Sequence, residues 1–412
     1  MLSPKPKFLG SKLALISRTR PFVLCRKLSS VPSKPFTVLA LESSADDTCA
    51  AVVDSNRKIL SNVRIRQHQL HESWGGIHPA VAILAHQRNM PVAVKRALEE
   101  AHMNVNDVDG VAFTRGPGIP GCLAVGCNAA KNLAAALGKP LVGVHHMQAH
   151  ALTPILTTPP DSIPTFPFLT LLVSGGHTLL LLASSEDSFT ILATTPDESI
   201  GRTIDKVSRM LELKWDDVGP GVALERFCAS QGESRVPEDF TPFPRPMPGK
   251  LAFSYSGFHS SVERYLDRIG GVGNLVEEEK LGIARAFQTA AFEHLEGKLK
   301  LAFRWCQKRG VEVKHLVVSG GVASNALLRM RLATCLEEVE REVGLNVPVV
   351  PIFPPPALCT DNAAMIAWSS MRRFLAGDYD DYTIAPRPKW SVEDINTDAP
   401  DVLWGQQLSK AS

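Results

Sequence analysis

The chain has 412 residues, 44% of them hydrophobic and 21% charged, with a formal net charge of +2. That length exceeds one ordinary core and fits two lobes, and the near-neutral balance excludes a global polycation, so any nucleic-acid contact must use a local, salt-sensitive patch. The 8 cysteines form no CxxC pair, which argues against a zinc ribbon or disulfide scaffold and for a reducing compartment.

The first 35 residues carry Lys5, Lys7, Lys12, Arg18, Arg20, Arg26, Lys27 and Lys34, and the first acidic residue of the chain is Glu42. Serines are interspersed and no long apolar run follows the charges, the pattern of a mitochondrial presequence rather than a secretory signal; a basic RNA-binding arm is the competing reading. From Thr37, TVLALESSADDTCAAVVD predicts a β-hairpin around a polar tip. A His-rich loop, 67–78, leads to a helix over about 81–102. VDGVAFTR predicts a strand entering GPGIPG, with a small-residue helix over 122–137; PLVGVHH predicts another strand, with helix from Met147 onward. A Pro-rich linker follows at 159–167.

FLTLLVSGGHTLLLLA again predicts a hairpin around a tight polar loop. This run, 169–183, is the longest apolar stretch, but Ser-Gly-Gly-His breaks it and no segment reaches the length of a membrane span. Residues 197–230 read as helical with a break at Gly219-Pro220-Gly221, 231–260 as a Pro- and Ser-rich insertion, and about 281–309 as a long helix. VKHLVVSGGVASNALLRMRLATCL repeats the strand–glycine–helix grammar of VDGVAFTRGPGIPGCLAVGCNAAKNL, and a final helix covers about 361–375. Two such halves predict an α/β fold of two actin-like lobes (the ASKHA, RNase H-like class) facing an interlobe cleft, into which both polar tips and both helix N-termini point N–H donors. The expected boundaries are a presequence at 1–35, an N-terminal lobe at 36–160, a C-terminal lobe at 161–360 with its insertion at about 231–260, a terminal helix and closing segment at 361–390, and an irregular tail at 391–412.

His146 and His150 stand four apart in HHMQAH, which puts both imidazoles on one face of a helix. Two neutral nitrogens leave room for an oxygen ligand and open positions, although such pairs also serve purely structural roles. Met147 follows the first histidine, so this is no HExxH protease. Asp361, in CTDNAAM, is a candidate third ligand that spacing alone does not select. GPGIPG contains GxGxxG, yet no Asp or Glu occurs from Gly110 to Pro160 to hold a ribose, so a dinucleotide site fails its own check. VSGGHT and VSGGVASN each place Ser-Gly-Gly after an apolar strand, where backbone amides can form an anion nest and glycine lets a ligand approach. The tip Glu42-Ser43-Ser44-Ala45-Asp46-Asp47-Thr48 suits contact with a metal or water near phosphate. Asp205 could present a carboxylate to ribose hydroxyls. His68, His71, His78 and His86 have no regular ligand spacing and read as surface or RNA-facing.

Taken together in this order, LALESSADDT, TRGPGIPGCLAVG, VHHMQAH, VSGGHT, TIDKVSRML, SGGVASN and CTDNAAMIA resemble the TsaD family of tRNA threonylcarbamoyladenosine enzymes, in its mitochondrial branch, over about residues 37–390. The resemblance implies that His146, His150 and Asp361 bind one divalent metal per subunit, iron or zinc first among the options. It implies that Leu172, Val173, Ser174, Gly175 and Gly176 contact an adenylate whose nucleoside part is held by Asp205, Gly219 and Asn325. The implied reaction moves threonylcarbamoyl from threonylcarbamoyl-AMP, made by a separate synthase, to N6 of adenosine 37 in tRNAs reading ANN codons. A mitochondrial matrix enzyme working as a homodimer, without membrane insertion, is the matching expectation. Three segments depart from the family pattern: Ala80 and Leu84 replace an acid and a base, His259 replaces a lysine, and an acid ahead of the Asp205-Lys206 helix is replaced around Gly201-Arg202. A kinase or ATPase of the same fold, holding Mg²⁺ through phosphate, and a non-catalytic tRNA-binding scaffold are the alternatives.

Overall fold

The computed structural model describes residues 34–71, 74, 76–214, 218–345 and 347–397. Nearly all of the expected presequence and most of the expected tail therefore lie outside the described residues.

The first sheet is built from β1 (Thr37–Glu42), β2 (Thr48–Asp54), β3 (Ile59–Ile65), β4 (Gly110–Gly116) and β5 (Leu141–His145), with α1 (His68–His71), α2 (Pro79–Glu100), α3 (Pro120–Leu137) and α4 (His146–Thr157) between and after them. Its order is β3-β2-β1-β4-β5. The hairpin pairs Thr37 with Asp54 and Glu42 with Cys49, and β1 runs parallel to β4, which runs parallel to β5. The second sheet contains β6 (Phe168–Val173), β7 (Thr178–Ala183), β8 (Phe189–Thr194), β9 (His315–Ser319) and β10 (Val350–Ile352). Read from the other edge, its order is β8-β7-β6-β9-β10. The same order and the same change from antiparallel to parallel pairing recur in both halves, so the duplicated grammar of the sequence is a duplicated topology, and the fold is the two-lobed actin-like α/β architecture. Strands β1 and β6 are buried along their whole length, which is why they read as unbroken apolar runs rather than alternating ones.

The second half adds α5 (Ile200–Met210), α6 (Pro220–Ala229), α7 (Ser256–Ile269), α8 (Glu277–Lys308) and α9 (Ala326–Val343), then α10 (Pro356–Cys359) and α11 (Ala363–Ala376). Helix α7 begins inside the stretch read as an insertion. Its apolar residues Phe258, Val262, Tyr265 and Leu266 enter the large core formed with α5 and α8, so a helical period lay behind the local Ser and Pro content. The final helix starts two residues later than expected, because Asn362 caps it by accepting from Met365 N at 3.0 Å.

Two helices decide where the chemistry sits. Every residue of α4 from His146 to Leu156 is buried. One side of α4 meets α11, and its Met147, Ala151, Leu152 and Ile155 pack against Phe168, Leu172 and Val317 of the second sheet. A helix buried all round must satisfy its polar groups internally. The chain then crosses back: after β10 and α10 it passes through Thr360, Asp361 and Asn362 and lays α11 on β1, β2, β4 and β5. Asp361 thus stands at the crossover between the two sheets.

Candidate active site

The parallel strands β1, β4, β5, β6 and β9 carry Glu42, Gly116, His145, Val173 and Ser319 at their carboxyl ends. That is where open α/β sheets hold ligands. On α4, one turn apart, the rings of His146 and His150 lie 4.7 Å apart and nearly perpendicular. His150 Nε2 is 3.1 Å and His146 Nε2 3.5 Å from Asp361 Oδ1. One donor atom from each residue falls within 4.8 Å of the others. The two histidines that spacing paired and the distant aspartate therefore converge.

The opposite edge of His146 is held by Glu42, whose Oε2 lies 3.1 Å from Nδ1. Glu42 is fully buried and accepts from Ser44 N at 2.6 Å and from the Thr114 hydroxyl. With Nδ1 donating to a carboxylate, the His146 lone pair is directed through Nε2 toward Asp361, the arrangement that orients histidine ligands in metal sites. The electrostatics follow from crowding charges in a buried place. Burial disfavours the imidazolium, but Glu42 and Asp361 outweigh it and push His146 up to about 10. Burial likewise works to raise Asp361, and the adjacent imidazoles hold it well below the usual carboxylate range. Two carboxylates against a single small volume favour positive charge there, which a divalent ion would supply without a proton. The residues present fit such an ion: two Nε2 atoms, one carboxylate oxygen, and a carboxylate behind one imidazole.

Glu42, expected near a metal or water, lies behind His146 rather than among the three converging donor atoms. Asp46 pairs instead with His68 at 3.3 Å. Asp47, nearly buried, is pushed up to about 7 by burial and by Asp46 and Asp361. His71 and His86 are buried, His86 bonding Thr48 Oγ1 and the Ala45 carbonyl at 2.8 and 3.0 Å. His86 thereby braces the hairpin tip, while His71 bonds Gln67 Oε1 at 3.2 Å and accepts from His78 N at 3.3 Å, so both desolvated imidazoles have partners rather than the surface placement expected.

Across the groove, Leu172 and Val173 are buried in the two cores that flank β6, so only their backbone is available to a ligand. Ser174 Oγ accepts from the N–H groups of Gly176 and His177 at 3.3 and 3.0 Å. The anion nest expected of this loop is thus partly closed by its own serine. A Cβ added at Gly175 or Gly176 would meet nothing within 4 Å, whereas one at Gly201 would lie 2.5 Å from the Ser174 carbonyl and one at Gly320, at φ +100°, 2.2 Å from that of Val173. Glycine at 201 and 320 lets α5 and the β9 loop close onto β6; glycine at 175 and 176 leaves open space. Asp205 lies beside the α6 N-terminus, which Gly219 opens at φ +89°. Burial pushes Asp205 up to about 6 against the pull of Arg209, His68 and the Gly221 amide. Asn325 Oδ1 accepts from Leu328 N at 3.0 Å, so that oxygen caps α9. Of the departing positions, Ala80 and Leu84 are exposed on α2, while His259 is buried 3.0 Å from Glu198, which also pairs with Lys206.

Sequence reasoning passed over His145, the first of the histidine doublet, and His177, whose ring is 6.3 Å from that of His146. His177 is lowered to about 4 by burial and by His146, which favours its neutral imidazole beside that ring. Both follow a strand or loop whose neighbours had been singled out, but no periodicity distinguishes them.

Comparison with known proteins adds an independent line. The TsaD family model, described as tRNA N6-adenosine threonylcarbamoyltransferase, matches residues 58–368. A Paramagnetospirillum magneticum protein of that description is 39% identical over 358 residues, 86% of this chain and 97% of the relative. An Arabidopsis thaliana protein described as a probable mitochondrial form is 36% identical over 399 residues, 91% of this chain and 80% of the relative. Among solved structures, a ROK hexokinase from Thermus thermophilus covers 83% of this chain and 99% of its own at 15% identity and a TM-score of 0.42.

Proposed function

Because the chain belongs to the TsaD family of tRNA N6-adenosine threonylcarbamoyltransferases and is a transferase, we propose that it moves L-threonylcarbamoyl from threonylcarbamoyl-AMP to N6 of adenosine 37 in tRNAs reading ANN codons, in the mitochondrial matrix. The observation that carries this reading is the convergence of His146 Nε2, His150 Nε2 and Asp361 Oδ1, with Glu42 behind His146. Together they would hold one divalent ion, iron or zinc, which when bound supplies Lewis acidity toward carbamoyl and phosphate oxygens.

The chain's own residues do the remainder. N6 of adenosine is a poor nucleophile; its attack on the carbamoyl carbon breaks the bond to the AMP oxygen, so the leaving phosphate must be held and the two substrates aligned. The open backbone at Gly175 and Gly176 lets the adenylate lie against β6, with Leu172, Val173 and Ser174 forming the floor. Asp205, beside Gly219, accepts from the ribose hydroxyls, and the Asn325 amide stands at the same wall. No covalent intermediate is required. The lysine- and arginine-rich, acid-free start of the sequence and the Arabidopsis relative support a mitochondrial location. A separate synthase supplies the adenylate, and the working unit is a homodimer. No helix among the described residues is long and apolar enough to cross a membrane.

The test combines purified protein, threonylcarbamoyl-AMP and unmodified tRNA, with the modified nucleoside read by mass spectrometry. His146→Ala and Asp361→Ala should lose most turnover while staying folded; unchanged turnover in both removes the reading.

A further inference from the structure

His145 stands beside the proposed ligands without being one of them. It is 1% exposed, and both ring nitrogens are engaged. Nδ1 accepts from the backbone N–H groups of Met147 and Gln148 at 3.1 and 3.4 Å, capping α4. Nε2 donates to the carbonyl of Trp390 at 3.1 Å. The two sets of bonds select one tautomer, with the proton on Nε2. Serine, threonine or aspartate would supply the cap alone. A ring with two opposed nitrogens also reaches a second segment of chain.

That segment is residues 378–397, and it joins the two sheets. It starts on the first, where Asp380 N donates to Leu141 O at 2.8 Å and Gly143 N donates to Asp380 Oδ2 at 2.7 Å. It then lies along the loop after β4: Arg387 N donates to Arg115 O at 2.8 Å, and a Cβ on Gly116 would fall 1.9 Å from Arg387 O. It ends on the second sheet, where Ile191 N donates to Glu393 Oε1 at 2.8 Å and Val392 and Ile395 pack with Phe168, Phe189 and Ile191. Midway, the Trp390 ring meets the His145 ring edge-on at 4.7 Å and lies under the guanidinium groups of Arg115 and Arg387. Its indole N–H donates to Asp394 O at 3.1 Å.

We propose that His145 is a positioning residue that ties this interlobe strap to the first turn of α4, and so seats His146 and His150 opposite Asp361. His146 is thereby fixed from two sides, its backbone by the His145 cap and its ring by Glu42. The inference rests on the metal-ligand reading given above, and its test separates the two.

The probe is Co²⁺, titrated into the full chain after chelator treatment and followed by its visible absorption band. His145→Asn keeps an oxygen to cap α4 but is too short to reach Trp390; Trp390→Ala loosens the strap and leaves α4 untouched; His145→Ala removes both links. Supporting residues of this kind change metal affinity by about 10–100-fold. Co²⁺ affinity should therefore fall by that order in His145→Ala and by at least about threefold in His145→Asn and Trp390→Ala, with the band shifted as the imidazoles re-seat. If His145→Ala does not fold, His145→Asn and Trp390→Ala decide. Affinities within about twofold of the parent in both, while His146→Ala abolishes the band, would overturn the coupling and leave the ligands standing. Parental binding in His146→Ala would remove the ligand reading, and the positioning role with it.

Discussion

The two sheets have the same strand order, and their carboxyl ends do different work. Those of the first carry polar side chains: Glu42 at the end of β1, His145 at the end of β5, and His146 and His150 on the helix that follows. Those of the second carry backbone: Gly175 and Gly176 after β6, Gly320 after β9. Asp361 reaches the first set because the chain crosses from one sheet to the other at that point. A duplicated scaffold thus presents charged and polar side chains on one half and open backbone on the other.

The largest expected effect falls on the charged side. His146→Ala and Asp361→Ala should each cost at least about 100-fold in transfer, measured by nucleoside mass spectrometry, while far-UV circular dichroism is unchanged. Equal losses from substitutions on the glycine side with no loss here would invert the division.

The second sheet offers a sharper contrast between two glycines. Gly320→Ala forces a Cβ to 2.2 Å from the Val173 carbonyl in a left-handed conformation, so it should lower stability by roughly 2–4 kcal/mol in urea unfolding. Gly175→Ala meets nothing in the free protein. It should leave the unfolding midpoint in place and raise KM for the adenylate by about tenfold, since one methyl at a close approach costs on the order of 1–2 kcal/mol. Equal unfolding midpoints for the two variants would show that the space at 175 was misread.

Asp205 links the two sides through pH. Its pKa in the folded protein, about 6, lies above the ordinary 3.8. The folded state therefore binds the proton more tightly than the unfolded chain, and ionisation costs stability as pH rises through that interval. Asp205→Asn should be more stable than the parent at pH 8, by no more than about 2 kcal/mol after solvent screening, and the gain should vanish below pH 4. Only the ionised carboxylate accepts both ribose hydroxyl protons, so parental KM should rise below pH 6, and Asp205→Asn should show a high, pH-independent KM. A smaller effect still is expected from Asn325→Ala: about 1 kcal/mol from the lost α9 cap, read by thermal unfolding.

The repeat was legible because both buried hairpins and both strand–glycine–helix units leave continuous apolar runs punctuated by glycine. The third strand of each hairpin was not. β3 and β8 are half-buried edge strands with mixed polarity, and they carry neither a clean alternation nor a solid run. His146 and His150 announced themselves by helical spacing. Asp361 did not, because a residue 211 positions from the histidine it meets leaves no period; only the order of motifs pointed to it. The support around the ligands was the least visible part. Glu42 read as one of several tip residues suited to a metal or water, and nothing in the sequence singled it out as the one the strand carries under His146. His145 looked like a flanking residue, yet its two nitrogens join α4 to a segment some 245 residues away. Such contacts depend on how two sheets come together, which local sequence does not encode.

The most direct test of the central claim is anomalous diffraction at the zinc edge from crystals of the full chain loaded with Zn²⁺. One strong peak is expected, bonded to His146 Nε2, His150 Nε2 and an Asp361 oxygen at about 2.0–2.2 Å. A peak elsewhere, or one lacking two of these three residues, would contradict that claim.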